Sequence, residues 1–269
     1  MKIAMQLWLI PGKTVADKQK WAADNGVDGV EISANDYPVN RVDQARRDFE
    51  NSPVSISSIC GNPSIDFLDP DPAKRRASIE ESKHYLKLAG EFKAAGQIVP
   101  PILGGPRLPD LSPLKSVIEL ENDLLVETCK ELGDVAGAAG TLLLLEPLNR
   151  YEEHLLRTQA NGVEIIRRCG HPAVALISDL FHMNIEETSS PEALRQAGRH
   201  VRHVHLADNT RMEPGTGTIN FVEAFKALNE IRFSGCLAFE CIVANPDPDA
   251  ALKKSLAYIR DCMSKAGCR

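Results

Sequence analysis

No stretch of this 269-residue chain approaches the ~18 consecutive apolar residues that a membrane-spanning helix requires, so no membrane anchor is expected. The opening MKIAMQLWLIPG comes nearest to a signal peptide. Its apolar core is short, contains Gln6 and leads to no small-residue cleavage site, so it reads as a first strand. Dense Lys/Arg runs are missing as well. With a net charge of −6, neither nucleic acid nor an anionic membrane surface has electrostatic support as a partner. The seven cysteines (Cys60, Cys129, Cys169, Cys236, Cys241, Cys262 and Cys268) are odd in number, scattered and never spaced as CxxC. This argues against a disulfide framework or a thiolate zinc site and for a reducing cytoplasm. No linker is long or polar enough to divide the chain. No glycine-rich phosphate turn follows an early strand, and Gly104-Gly105, followed by Pro106, reads as a plain loop turn.

What is present is a rhythm. Strand-like segments at 2–10, 27–33, 54–60, 97–103, 141–146, 174–179, 201–207 and 236–242 alternate with helix-like segments at 14–25, 40–50, 72–95, 114–139, 158–169, 190–199, 221–230 and 248–265. The two prolines in 97–103 make that strand the weakest of the set. Continuous βα alternation implies a parallel sheet. Eight units in about 250 residues match a closed (β/α)8 TIM barrel of the α/β class, so residues 1–269 are expected to form a single barrel domain. An open doubly wound sheet is the alternative, and it lacks its phosphate turn.

The stretch TLLLLEPLNRYE, 141–152, organises the rest. Its apolar run suits a strand buried on both faces, yet it ends at Glu146 before Pro147. A carboxylate at that position is costly unless it is paired, hydrogen-bonded or bound to a metal. The event recurs: strand six ends at Asp179, strand seven carries His205 near its end and strand eight Glu240. The gaps of 33, 26 and 35 residues each correspond to one βα repeat. Barrel active sites lie at the C-terminal ends of the strands, so these four side chains would ring one mouth. Each alone would be an ordinary salt-bridge partner. Together, three carboxylates without a counter-charge would repel, and a divalent cation removes that cost. Three oxygens and one imidazole suit Mn²⁺ or Mg²⁺, with Co²⁺ also compatible. Glu152, His182 and Arg211 follow these strand ends by six, three and six residues, in loops where substrate-orienting groups belong.

EPLNRYE (146–152), SDLFHMNIEE (178–187), HVHLADNTR (203–211), PGTGTINF (214–221) and AFEC (238–241) resemble the ketose 3-epimerases. The most similar type is the D-tagatose/D-psicose 3-epimerase group of the xylose isomerase-like barrels. The resemblance implies one divalent metal, Mn²⁺ or Co²⁺, on Glu146, Asp179, His205 and Glu240. It implies C3 epimerisation of a ketose through a cis-enediolate, with Glu146 and Glu240 as acid and base on opposite faces. Glu152, His182 and Arg211 would hold the O1/O2 end of the sugar, and the chain would form a homodimer or tetramer. The same scaffold also serves aldose–ketose and hydroxypyruvate isomerases, inosose dehydratases and lyases of 3-keto-glycosides. The pattern departs from the hexulose epimerases at two places. The loop GGPRLPDLSP (104–113) has no aromatic residue, and Cys241-Ile242 stand where Pro-Phe is common. Both concern the far end of the substrate. Arg107 in that loop reads as a solvated charge or as an anion contact. Trp8 is expected to be a sugar-facing wall or barrel packing, and Glu31, at the end of strand two, a hydrogen-bond group that supports the ligands or meets the substrate.

Overall fold

A computed structural model of the chain describes residues 1–61 and 66–268. The strands are β1 (Lys2–Gln6), β2 (Gly29–Ser33), β3 (Ser55–Cys60), β4 (Gly96–Val99), β5 (Leu142–Leu145), β6 (Val174–Asp179), β7 (Val201–Leu206) and β8 (Cys236–Phe239). The helices are α1 (Val15–Asp24), α2 (Val42–Phe49), α3 (Pro72–Glu91), α4 (Val117–Ala139), α5 (Gln159–Cys169), α6 (Leu180–Glu186), α7 (Ser190–Ala197), α8 (Phe221–Glu230) and α9 (Pro248–Lys265). Each strand pairs in parallel with the next, and β1 closes on β8 with Ile3 opposite Leu237. The result is a closed eight-stranded barrel wrapped by helices, as the strand–helix rhythm implies. No helix among the described residues is long and apolar enough to cross a membrane.

Local chemistry sets the boundaries. A capping box of Ser116 and Glu119 starts α4, and Gly140, at φ +71°, closes it in the left-handed conformation that glycine tolerates. Alternation along the strands divides the core in two. Leu143 and Leu145 join the large cluster, while Leu144, between them, packs in a separate cluster with Ile98, Ala175 and Ile177.

Several strands stop earlier than the apolar runs suggest. β1 ends at Gln6, β4 at Val99 before Pro100-Pro101, and β5 and β8 one residue short of Glu146 and Glu240. These two glutamates still bond backward, Glu146 N–H to the Val99 carbonyl (3.0 Å) and Glu240 N–H to the Leu206 carbonyl (3.1 Å). Their side chains therefore leave from a fixed backbone. The short helix α6 falls inside SDLFHMNIEE, where the sequence reading placed no helix.

Candidate active site

Asp179 ends β6 and caps α6. Its Oδ1 accepts from the N–H groups of Phe181 (2.7 Å) and His182 (3.0 Å), which leaves Oδ2 for the barrel mouth. Oδ2 lies 2.6 Å from Arg211 Nη1 and 3.7 Å from His205 Nδ1. His205 is buried and central. Its Nδ1 is 2.9 Å from Glu240 Oε2 and 3.2 Å from Glu146 Oε1. Its Nε2 points the other way, 3.0 Å from Glu31 Oε1. The four residues singled out at the strand ends thus converge, with one donor atom from each lying within 4.8 Å of the others.

Two of these buried atoms, Glu146 Oε1 and His205 Nδ1, have no hydrogen-bond partner. Buried polar atoms are normally satisfied. A pair of orphans facing each other beside two more carboxylates fits a divalent cation, and the oxygen-rich donor set fits a hard one. Glu146, Asp179, His205 and Glu240 are thus the residues that could hold a metal. Without a cation, protein charges balance the site. Burial pushes the Glu146 carboxyl up, and the nearby Glu240 adds to this, against the lowering pull of His205. Burial likewise opposes ionisation of Asp179, but Arg211, His182 and His205 outweigh it and hold that carboxyl below its usual range. Glu240 is also held low against burial, by His205 and Arg211. His205 is raised well above an ordinary imidazole because Glu240 and Glu31 overcome its desolvation.

The other three expected residues sit around the same centre. His182 Nδ1 accepts the Asn149 N–H (3.2 Å), so its proton lies on Nε2, 3.9 Å from Asp179 Oδ2. Glu152 Oε1 accepts from Asn149 Nδ2 (2.8 Å). Arg211 bridges Asp179 and Glu240 and lies 4.9 Å over the Phe181 ring. Its φ of +63°, uncommon outside glycine, marks a backbone bent to serve that position. A cavity of about 260 Å³ opens here, lined by Glu146, Glu152, His182, Arg211 and Glu240, with Cys60 and Leu103 among its apolar wall. A larger cleft of about 770 Å³ lies by the start of β6 and β7, lined by Arg167, His171 and Arg202 and by no carboxylate. Chemistry favours the smaller one.

Two expectations are narrowed and one changes. Glu31 lies outside the cavity lining and fixes His205 from behind. It takes hydrogen bonds from His203 Nε2 (3.0 Å), Ser58 Oγ (2.5 Å) and Gln6 Nε2 (2.9 Å), and His203 and His205 hold it well below its usual range despite full burial. Trp8 is not barrel packing: it follows β1, is half exposed, and donates its indole N–H to Gln6. Arg107 is ion-paired with Asp66 and donates to the Leu103 carbonyl (2.8 Å), so it is neither free in solvent nor aimed into the cavity.

Sequence reasoning missed Gln6, whose amide also reaches Glu240 Oε1 (2.7 Å), and Ser58, His203 and Asn149. The available signals were a lone amide in an apolar strand and a histidine two residues before His205, hence on the same strand face. Asp208 was missed too. Its carboxylate accepts from Gly215 N (2.9 Å) and Ile219 N (3.0 Å), tying down the loop that carries Arg211.

Residues 19–262 match the xylose isomerase-like TIM barrel family, and the chain belongs to it. Among its relatives is the 3-dehydro-D-guloside 4-epimerase of Escherichia coli, 29% identical over 264 residues, which span 97% of this chain and 100% of that protein. The crystal structure of a 3-keto-D-glucoside 4-epimerase from E. coli superposes with a TM-score of 0.87 at 29% identity, over 97% of this chain and 100% of that one. The D-psicose 3-epimerase of Ruminiclostridium cellulolyticum is 40% identical over 118 residues, 44% of this chain and 40% of that protein. The resemblance to ketose 3-epimerases is thereby borne out, and the chain is an enzyme of the isomerase class.

Proposed function

We propose that this protein inverts the carbon next to the ketone of a sugar. Glu146 and Glu240 act as acid and base on opposite faces, and one divalent ion is held by Glu146, Asp179, His205 and Glu240. Mn²⁺ is our first choice, with Mg²⁺ and the softer Co²⁺ as the other candidates. The observation that carries this reading is the pair of orphaned buried atoms, Glu146 Oε1 and His205 Nδ1, beside two further carboxylates. The ion, when bound, would stabilise negative charge developing on the ketone oxygen, without which the neighbouring C–H is too weak an acid for a carboxylate.

The chain's own residues do the rest. One glutamate takes the proton from one face, and the C–H electrons become the enediolate double bond. The other glutamate, protonated, returns a proton to the opposite face. The sugar keeps its composition, and the two carboxyls exchange protonation states and re-equilibrate with solvent. Inversion requires two such groups, because one alone would return the proton to the side it came from. His182, through Nε2–H, and Arg211 orient the oxygens of the ketone end, and Glu152 accepts a hydroxyl. That all seven cysteines are free agrees with a reducing, cytoplasmic setting.

Two positions of the ketone suit this site: C2 of a ketose, inverted at C3, or C3 of a keto-glycoside, inverted at C4. The match to the E. coli 4-epimerase over both whole chains favours the second. Solvent-deuterium exchange decides. The Mn²⁺-loaded protein is incubated in D₂O with D-fructose, D-psicose and methyl 3-keto-β-D-glucoside, and NMR locates the label. Label at C3 with an epimeric ketose supports the first reading, and label at C4 of the glycoside supports the second. Label at C1 with an aldose product makes the enzyme an aldose–ketose isomerase. Absence of label from every sugar, with metal bound, removes the reading.

A further inference from the structure

At the end of the barrel opposite the candidate active site, a cleft of about 770 Å³ opens where β6 and β7 begin. Small-molecule sites commonly occupy about 300–1,000 Å³. Arg167, in the last turn of α5, and His171, in the turn into β6, line this cleft. Arg199 and His200, just ahead of β7, and Arg202, its second residue, line it as well. Among the described residues no carboxylate belongs to the lining.

Arginines elsewhere on the surface, such as Arg150, Arg168 and Arg195, are each paired with a carboxylate. Among the described residues, no ion pair or hydrogen bond engages the guanidinium of Arg167, Arg199 or Arg202. Asp134 pairs with His171 at 3.3 Å and stays out of the lining. His200 registers the resulting field: burial, with the charges of Arg199 and Arg167, holds its imidazole below the ordinary value. In a chain of net charge −6, this is a local concentration of uncompensated positive charge.

The backbone is shaped to put Arg202 there. Pairing between β6 and β7 passes from Leu176–Val201 to Ile177–His203, so Arg202 has no partner on β6. Every other residue of β7 is buried, and Arg202 alone is exposed. A bulge gives up a place in the ladder and re-aims the side chain of the extra residue. Here it delivers a guanidinium to the cleft from a strand that is otherwise buried. Basic residues at helix ends offset the helix dipole, which gives Arg167 and Arg199 an ordinary role. Arg202, on a strand, has none.

We propose that this cleft binds the diphosphate group of a nucleoside diphosphate through Arg167, Arg199 and Arg202. Planar guanidinium forks bind phosphate oxygens in pairs. A diphosphate carries roughly three negative charges at neutral pH, one for each arginine. Sulfate is too small and too weakly charged to engage all three. A long polyanion such as RNA would run past the cleft onto a molecule whose net charge is negative. Ile166 and Pro172, also in the lining, offer apolar surface to the organic part of the ligand. The cleft shares no residue with the lining of the candidate active site, so this assignment holds or fails apart from the epimerase reading.

Calorimetric titration of ADP, pyrophosphate and sulfate into the metal-free full-length protein tests this; with Mn²⁺ left out, chelation by the phosphates adds no heat. ADP and pyrophosphate are expected to bind once per chain, about tenfold or more tightly than sulfate. Arg167→Gln, Arg199→Gln and Arg202→Gln should each weaken both about fivefold or more, and the triple variant should show no saturable binding. Arg46→Gln, which removes the same charge from α2, should leave both affinities unchanged. The three arginines are exposed and hold no ion pair, so the variants should keep the wild-type Tm, and the single variants carry the test should the triple one fail to fold. Absence of saturable ADP binding, sulfate binding as tight as that of ADP, or ADP binding that survives the replacements overturns the site. A single-stranded RNA oligomer that binds more tightly than ADP, and is lost in the same variants, would make the cleft part of a nucleic-acid surface and overturn the diphosphate assignment.

Discussion

His205 is held at one nitrogen, and that decides which residues around it matter. Nε2 is committed to Glu31, which is itself fixed by Ser58, His203 and Gln6, so Nδ1 is the atom presented to Glu146, Asp179 and Glu240. Carboxylates behind a metal-binding histidine orient the ring and raise its basicity. Glu31→Gln is therefore expected to weaken Mn²⁺ binding roughly 10- to 100-fold, read by calorimetry. Unchanged affinity would show that His205 needs no such support. At the carboxylate pair, Glu146→Gln and Glu240→Gln are each expected to lower kcat by about 10²–10⁴-fold. Each variant should still exchange solvent deuterium into one epimer while failing to form the other. A variant that still inverts would mean that its glutamate is not one of the two bases.

At the scale of elements, Asp179 links a strand, a helix and the site. Asparagine there can still cap α6, while alanine cannot, so Asp179→Ala should be less stable than Asp179→Asn by about 1 kcal/mol in denaturant titration of the metal-free proteins. Equal stability would mean that the cap contributes little. Glu153 lies in the loop after β5. It is buried, its Oε2 has no partner, and burial, aided by Glu146 and Glu121, pushes its carboxyl well above the usual range. The folded state thus binds this proton more tightly than the unfolded chain. The contribution is favourable at low pH and is lost as pH rises from the ordinary carboxylate value through the raised one. Glu153→Gln should match the wild type near pH 4 and become the more stable protein as pH increases. A difference that stays constant with pH would refute this.

The elements themselves were unevenly legible. β6, α8 and α9 lie where the pattern puts them, because α8 is capped by Asn220 and α9 by Asp247 before Pro248, all visible as residues. β1, β4, β5, β7 and β8 end early because an apolar run reports burial, whereas a strand ends where its ladder partner does. α6 was hidden because seven residues are too few for a helical period to emerge.

For the whole molecule, the closed sheet brings four separate βα units to one mouth, and a bound ion would join them. Saturating Mn²⁺ at about 100 times its Kd should add roughly 2.7 kcal/mol of stability, raising Tm by about 5–10 °C for a barrel of this size. A chelator should reverse the gain, and insensitivity of Tm to both would argue against the centre. By itself the sequence determined the barrel and the four strand-end groups. Each βα repeat returns the chain to the same ring, so spacing alone is enough to bring Glu146, Asp179, His205 and Glu240 together. Tertiary structure decided what surrounds them. The β2–β3 register shifts at Val30/Glu31, so that Glu31 faces Ser58, and the β6–β7 register shifts at Leu176/Ile177, skipping Arg202 and setting His205 opposite Asp179. Gln6 reaches Glu240 because β1 closes on β8. Register shifts and closure are properties of paired strands, and no single strand's residues encode them.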